Sequence, residues 1–170
     1  GIYAAAYRLI EFALVPVAGL VAATYGRLFA QAHRDGRERV TSTALRSALA
    51  SLTLGSVVGV AIWIALGPLM RWTVGPEFAG VEDGRYALAM LPIAMSLRMT
   101  GEQSIAALGA LWTRTRLQWS MAPVALLANV FVIPEAGWVG SAWVCVMVES
   151  VLGLSYLALI VHQRRMTVGQ

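Results

Sequence analysis

The chain has no lysine, one cysteine and little charge of either sign. Its 13 basic residues are all arginine, set against 9 acids, and charged residues make up 13% of the 170. That is about half the share a soluble domain carries, which excludes an ordinary water-soluble fold. With Cys145 alone, no disulfide framework can form within the chain. His33 and His162 are far from that cysteine and from each other. Metal-ligand spacing is therefore missing, and neither a metal nor a cofactor is expected. No strand is predicted, no glycine-rich phosphate loop follows one, and no Ser/His/Asp set can be assembled. The longest polar stretch, Gln31–Arg46, is short for a catalytic loop, so an enzyme is not expected. The arginines do not cluster on one soluble face, which argues against a nucleic-acid partner.

What the chain has is apolar length. It is 58% hydrophobic with a mean hydropathy of +0.68. A helix needs roughly 20 apolar residues to cross a bilayer core of about 30 Å. Five segments approach that: 2–29, 47–70, 85–111, 117–133 and 138–161. The expected fold class is all-α, a polytopic membrane bundle of about five transmembrane helices forming a single domain over 1–170. In the first segment nothing from Phe12 to Gly26 is charged, but Arg8 and Glu11 stand near one membrane boundary. Three apart on a helix, they share a face and can reach each other, and that face asks for a polar surface.

Between the spans, Gln31–Arg46 carries Arg34, Arg37, Arg39 and Arg46 against Asp35 and Glu38. It reads as a solvated loop or interfacial helix that anchors topology, or as a lipid-headgroup site. The second span holds Gly55 and Gly59, a spacing that lets helix backbones approach closely. The Thr73–Gly84 loop carries Gly75-Pro76 and the acids Glu77, Glu82 and Asp83, suited to the start of the next helix. Arg98 lies near the centre of the third span, with Glu102 four residues on. A central arginine costs about 2.5–3.5 kcal/mol on insertion scales, so the two are expected to pair, locally or along a water-filled cavity. Trp112–Arg116 reads as a short basic turn. The fourth span contains Asn129 and Pro123, a candidate kink. Pro134-Glu135-Ala136-Gly137 reads as a tight turn. Glu149 sits in the middle of the last span, where a membrane carboxylate is functional or paired. Arg164-Arg165 close the chain.

Arg27, Arg34, Arg37, Arg39, Arg46, Arg114, Arg116, Arg164 and Arg165 fall on one side of this arrangement. Arg71 and Arg85 fall on the other. The positive-inside rule then starts the chain outside and ends it in the cytoplasm after five crossings. Residue 1 is not methionine and already lies within a helical pattern, so the chain is expected to be a fragment of a longer protein. Membrane helices with inward charges suit a transporter lining, and arginine suits an anionic passenger.

Four stretches carry a resemblance. The run from Gly1 through Tyr3, Ala6, Arg8 and Leu9 to Glu11 resembles the G-x-Y-x-x-A-x-R-L helix opening of polysaccharide flippases. Leu69–Phe78 is similar to that family's loop before the next span, and Ala106-Ala107-Leu108-Gly109 to the A-x-G that follows. Ile133-Pro134-Glu135-Ala136-Gly137-Trp138-Val139-Gly140-Ser141-Ala142 resembles its I-P-x-x-G-x-x-G-A-A turn. Tyr25-Gly26-Arg27-Leu28 stands where the family often has proline. The family belongs to the superfamily of multidrug exporters, oligosaccharide-lipid flippases and the lipid II flippase.

The resemblance implies one partial, C-terminal lobe of a two-lobed transporter of about 12 to 14 spans, beginning near the eighth. The implied partners are a polyprenyl-phosphate-linked oligosaccharide, membrane lipids and the missing N-terminal lobe, and the place is the bacterial inner membrane. Arg8 would face the cavity and hold the lipid's phosphates, with Glu11 near it. Arg98, Glu102 and Glu149 are cavity candidates from the residues alone. Two rivals remain: a cation-coupled drug exporter with Glu102 and Glu149 as coupling carboxylates, and a scaffold subunit using Gly55–Gly59 as a packing face.

Overall fold

The computed structural model describes the backbone of residues 2–34, 37–73 and 75–168. It describes their side chains apart from 2, 33, 34, 37, 38, 76–79 and 164–168. The charges anticipated at Arg34, Asp35, Arg37, Glu38, Glu77, Arg164 and Arg165, and the ring of His33, lie outside the described residues. Among those described, the chain is all helical and has no strand.

The opening segment is two helices rather than one. α1 spans Ile2–Ala13 and α2 spans Val15–Arg34, bent by 46°. The cause is Pro16. It has no amide hydrogen for the Phe12 carbonyl, and its ring crowds that carbonyl. The flanking bonds survive: the Leu14 amide donates to Ile10 at 2.9 Å, and the Ala18 amide to Leu14 at 2.9 Å. The Gln31–Arg46 stretch is likewise not an independent loop or interfacial helix. α2 runs through Arg34 and α3 already begins at Arg37, continuing to Thr73, so the second span is longer than 47–70.

From Pro76 to Gly84 the expected loop is a 3-10 helix, and α4 then runs Arg85–Ala107. α4 stops short of Leu111 because Gly109 adopts φ +79, a left-handed conformation. The Gly109 amide donates to the Ala106 carbonyl (3.0 Å) and the Ala110 amide to the Ile105 carbonyl (3.1 Å). That double closure satisfies the carbonyls a helix end leaves open. Trp112–Arg116, read as a turn, is instead the first turn of α5, Leu111–Val168.

α5 stays helical through Pro123 and Pro134 and breaks at Gly137, with φ 57 and ψ −145. There the chain reverses. A Cβ on Gly140 would lie 3.4 Å from the Val132 carbonyl oxygen. Eight residues apart on one straight helix, these positions would be about 12 Å apart. At the far end the Tyr156 hydroxyl donates to the Arg114 carbonyl at 3.4 Å. Two contacts with nearly equal index sums define antiparallel limbs, 111–136 and 138–168. The tight turn expected at Pro134–Gly137 is therefore real, although helical bonding persists up to its last residue.

α4 is the central element, with 14 of its 23 residues buried. On one flank Gly55 and Gly59 of α3 meet it; a Cβ on Gly55 would lie 2.9 Å from the Pro92 carbonyl oxygen. The spacing read as a packing face is thus used inside the chain. Ser96, Thr100 and Ser104 form a buried polar stripe on α4. Their hydroxyls donate to Ile93 (2.8 Å), Ser96 (3.0 Å) and Thr100 (2.8 Å), so small residues pack closely with no orphaned donor.

Two apolar clusters divide the interior. One joins Ile10, Val17, Leu66, Met70, Leu91, Met95 and Val146. The other joins Leu28, Val40, Ile105, Leu152, Tyr156 and Ile160. The outside is apolar too: Val57, Ile64, Trp119, Leu126, Phe131 and Leu154 are all exposed. Such a belt is the surface a helix presents to acyl chains. α3 (Arg39–Thr73) and α5 (Leu111–Gln163) are each long and apolar enough to cross a membrane. α1 with α2 makes a third if the bent pair is one span. α4 is not among them, because Arg98, Glu102 and Gln103 interrupt it.

Candidate functional site: an ion chain in the seam of the bundle

Arg98 and Glu149 lie between the two apolar clusters, and two glycines bring them together. A Cβ on Gly153 would sit 3.0 Å from Leu97 Cγ and 3.1 Å from the Arg98 amide nitrogen. One on Gly101 would sit 2.6 Å from Tyr156 Cβ. Without those side chains, α4 and the second limb of α5 touch. Glu149, one turn before Gly153, then faces Arg98.

The Arg98 guanidinium donates through Nε to Glu149 Oε2 and through Nη1 to Glu102 Oε2, the latter at 2.6 Å. Glu102 accepts a second arginine on its other oxygen, Oε1, from Arg114 Nη2. The result is a four-membered chain, Glu149–Arg98–Glu102–Arg114, carrying two charges of each sign. It links α4 to both limbs of α5. The carboxylates keep only 15% and 12% of their side-chain surface, so an isolated charge there would be costly; alternation of sign offsets part of that cost.

The expected Arg98–Glu102 pair is therefore present, and Glu149 is paired as a mid-span carboxylate should be. Arg114 is the member that sequence reasoning missed. Its signal was faint: 12 residues separate it from Glu102, and reading 112–116 as a turn removed it from any helix face. The glycine-driven reversal at Gly109 is what folds it back onto Glu102.

Arg8 and Glu11 are placed elsewhere. α1 turns Ala6 and Ile10 inward, and the rings of Tyr3 and Trp138 stand 6.3 Å apart, so that side of α1 lies on the second limb of α5. Arg8 and Glu11 are on the outward side, exposed, and form no ion pair with each other. The expected Arg8–Glu11 contact is thus absent among the described residues. The five candidates separate into an inner trio, Arg98, Glu102 and Glu149, and an outer pair.

A second ionic cluster closes the opposite end. Glu82 accepts from Arg71 Nη2 at 3.1 Å and lies 3.3 Å from Arg85 Nη2. Gly67 leaves room for that carboxylate, since a Cβ there would run into it. Glu82, expected only as a charge favouring the next helix, ties α3 to α4. Among the described residues no three His, Cys, Asp or Glu side chains gather as a metal site would need. No protein-family model matches this chain, and neither a curated protein nor a solved structure matches it.

Proposed function

We propose that this chain is one lobe of a two-lobed flippase that carries a lipid-linked oligosaccharide across a bacterial inner membrane. It would cross five times, through α1 with α2, α3, the two limbs of α5, and α4, whose charges are paired inside the bundle rather than facing lipid, and end in the cytoplasm. One observation carries the reading: Arg8 and Glu11 stand on the outward face of a membrane helix. On this reading Tyr3 and Trp138, whose rings stand 6.3 Å apart, lie at the interface, where aromatic rings settle. Arg8 lies five residues beyond Tyr3, about 8 Å deeper. Against hydrocarbon an arginine there would have to stretch back to the headgroups, whereas an aqueous cavity shared with a second lobe takes its charge directly. Its guanidinium suits the phosphates of a polyprenyl carrier.

The rivals lose their specific supports. Coupling carboxylates should be open to a cation, whereas Glu102 and Glu149 are engaged by arginines. A scaffold needs Gly55 and Gly59 outward, whereas both face α4. The test is translocation of a fluorescent polyprenyl-diphosphate oligosaccharide by the full-length protein in liposomes. The expected result is transfer that Arg8→Ala abolishes and Arg8→Lys partly keeps. Transfer unaffected by Arg8→Ala would overturn the reading.

A further inference from the structure

We propose that the crevice between α3 and α4 holds an acyl chain of phosphatidylethanolamine, whose headgroup is read by Arg71, Arg85 and Asp83. The crevice is a cavity of about 190 Å³ lined by Gly59, Val60, Trp63, Tyr86, Met90 and Ile93. Its floor is where α3 and α4 meet: a Cβ on Gly59 would strike the Ala89 carbonyl oxygen. Trp63 and Tyr86, 44% and 68% exposed, flank it. The lining is almost wholly apolar, and the opening faces the belt that acyl chains would cover.

The end of the crevice is charged. Arg85 directly precedes Tyr86, and Arg71 lies eight residues beyond Trp63 on α3, about 12 Å along the helix. That distance fits within half of a hydrocarbon core of about 30 Å, so a chain reaching Trp63 leaves its phosphate near the arginines. Among the described residues Glu82 engages Nη2 of each arginine and Nη1 of neither. Donors therefore remain for phosphate oxygens. Asp83 is exposed and forms no ion pair among the described residues.

Among the described residues the rim thus offers two guanidinium groups, partly neutralised by the Glu82 they share, and the carboxylate of Asp83, a charge-balanced set that complements a phosphate joined to a primary ammonium. A glycerol headgroup brings no cation to Asp83, and a choline headgroup brings no N–H to donate. Charge complementarity selects ethanolamine.

The experiment is native mass spectrometry of the full-length protein with equimolar phosphatidylethanolamine, phosphatidylglycerol and phosphatidylcholine. The ethanolamine adduct should dominate. Asp83→Asn should lower it roughly tenfold, the scale of one charge-assisted hydrogen bond. Val60→Trp, at an exposed position, should fill the crevice and reduce all three adducts. Equal retention of the three lipids, an ethanolamine adduct unchanged in both variants, or a second copy of the chain displaced by Val60→Trp would each overturn the proposal.

Discussion

Glu102 accepts two arginines while Glu149 accepts one, and that asymmetry ranks their substitutions. Glu102→Gln leaves Arg114 without its carboxylate and weakens the hold on Arg98. Removing one partner of a buried pair costs about 3–5 kcal/mol. Glu149→Gln should cost less, because Arg98 keeps Glu102 at 2.6 Å. Unfolding of the protein in mixed micelles by increasing detergent denaturant measures both; the reverse order would break the chain of four. A companion test uses charge neutrality. Arg98→Leu strands Glu149, whereas Arg98→Leu with Glu149→Leu removes one charge of each sign and leaves the Glu102–Arg114 pair intact. The double variant should therefore be the more stable of the two, by the same titration.

Among the elements, α5 makes the sharpest demand, because its helical assignment runs through a reversal. Spin labels at Arg116 and Ala158, in a Cys145→Ser background, would lie about 63 Å apart on one straight helix. Packed limbs lie about 8–10 Å apart, so the expected label distance is under about 25 Å. A long distance by electron–electron resonance would remove the hairpin. Gly137 has φ 57 and ψ −145, a region closed to side chains, so Gly137→Ala should destabilise by about 1–3 kcal/mol. Gly26 is exposed and helical with nothing within 4 Å of an added Cβ, so Gly26→Ala should stabilise by about 0.5–1 kcal/mol. The same denaturation measurement separates the two signs. These elements also show what sequence can disclose. Apolar length located the helical runs, and Pro134–Gly137 located the reversal. The Pro16 bend was missed because hydropathy does not register a missing amide hydrogen. The extension of α3 back to Arg37 was missed because arginines and glutamates read as loop by hydropathy yet are good helix formers.

At the scale of the whole molecule, the inner ion chain and the outer Arg8–Glu11 pair pose different problems. Mid-span charge at Arg98, Glu102 and Glu149 was legible in the sequence, and so was one of the pairings. Contacts across 51 and 12 residues were not, because Gly153 and Gly109 set them and neither glycine announces its neighbour. The inner chain is neutral and self-contained, so it asks nothing of the surroundings. The outer pair is exposed and has no ion-pair partner among the described residues. On the proposed reading water covers it, and cysteine reactivity distinguishes that face from the lipid belt. Thiols react as thiolates, which form in water and not in hydrocarbon. In a Cys145→Ser background in liposomes, Arg8→Cys and Glu11→Cys should react with a membrane-impermeant maleimide at least roughly tenfold faster than Val57→Cys and Leu127→Cys. The comparison is fair because Val57 and Leu127, both 59% exposed, face outward as Arg8 and Glu11 do. Equal inertness at all four positions would mean that the outward face of α1 meets lipid or a closed interface, and the cavity proposed for it would have no water to offer a phosphate.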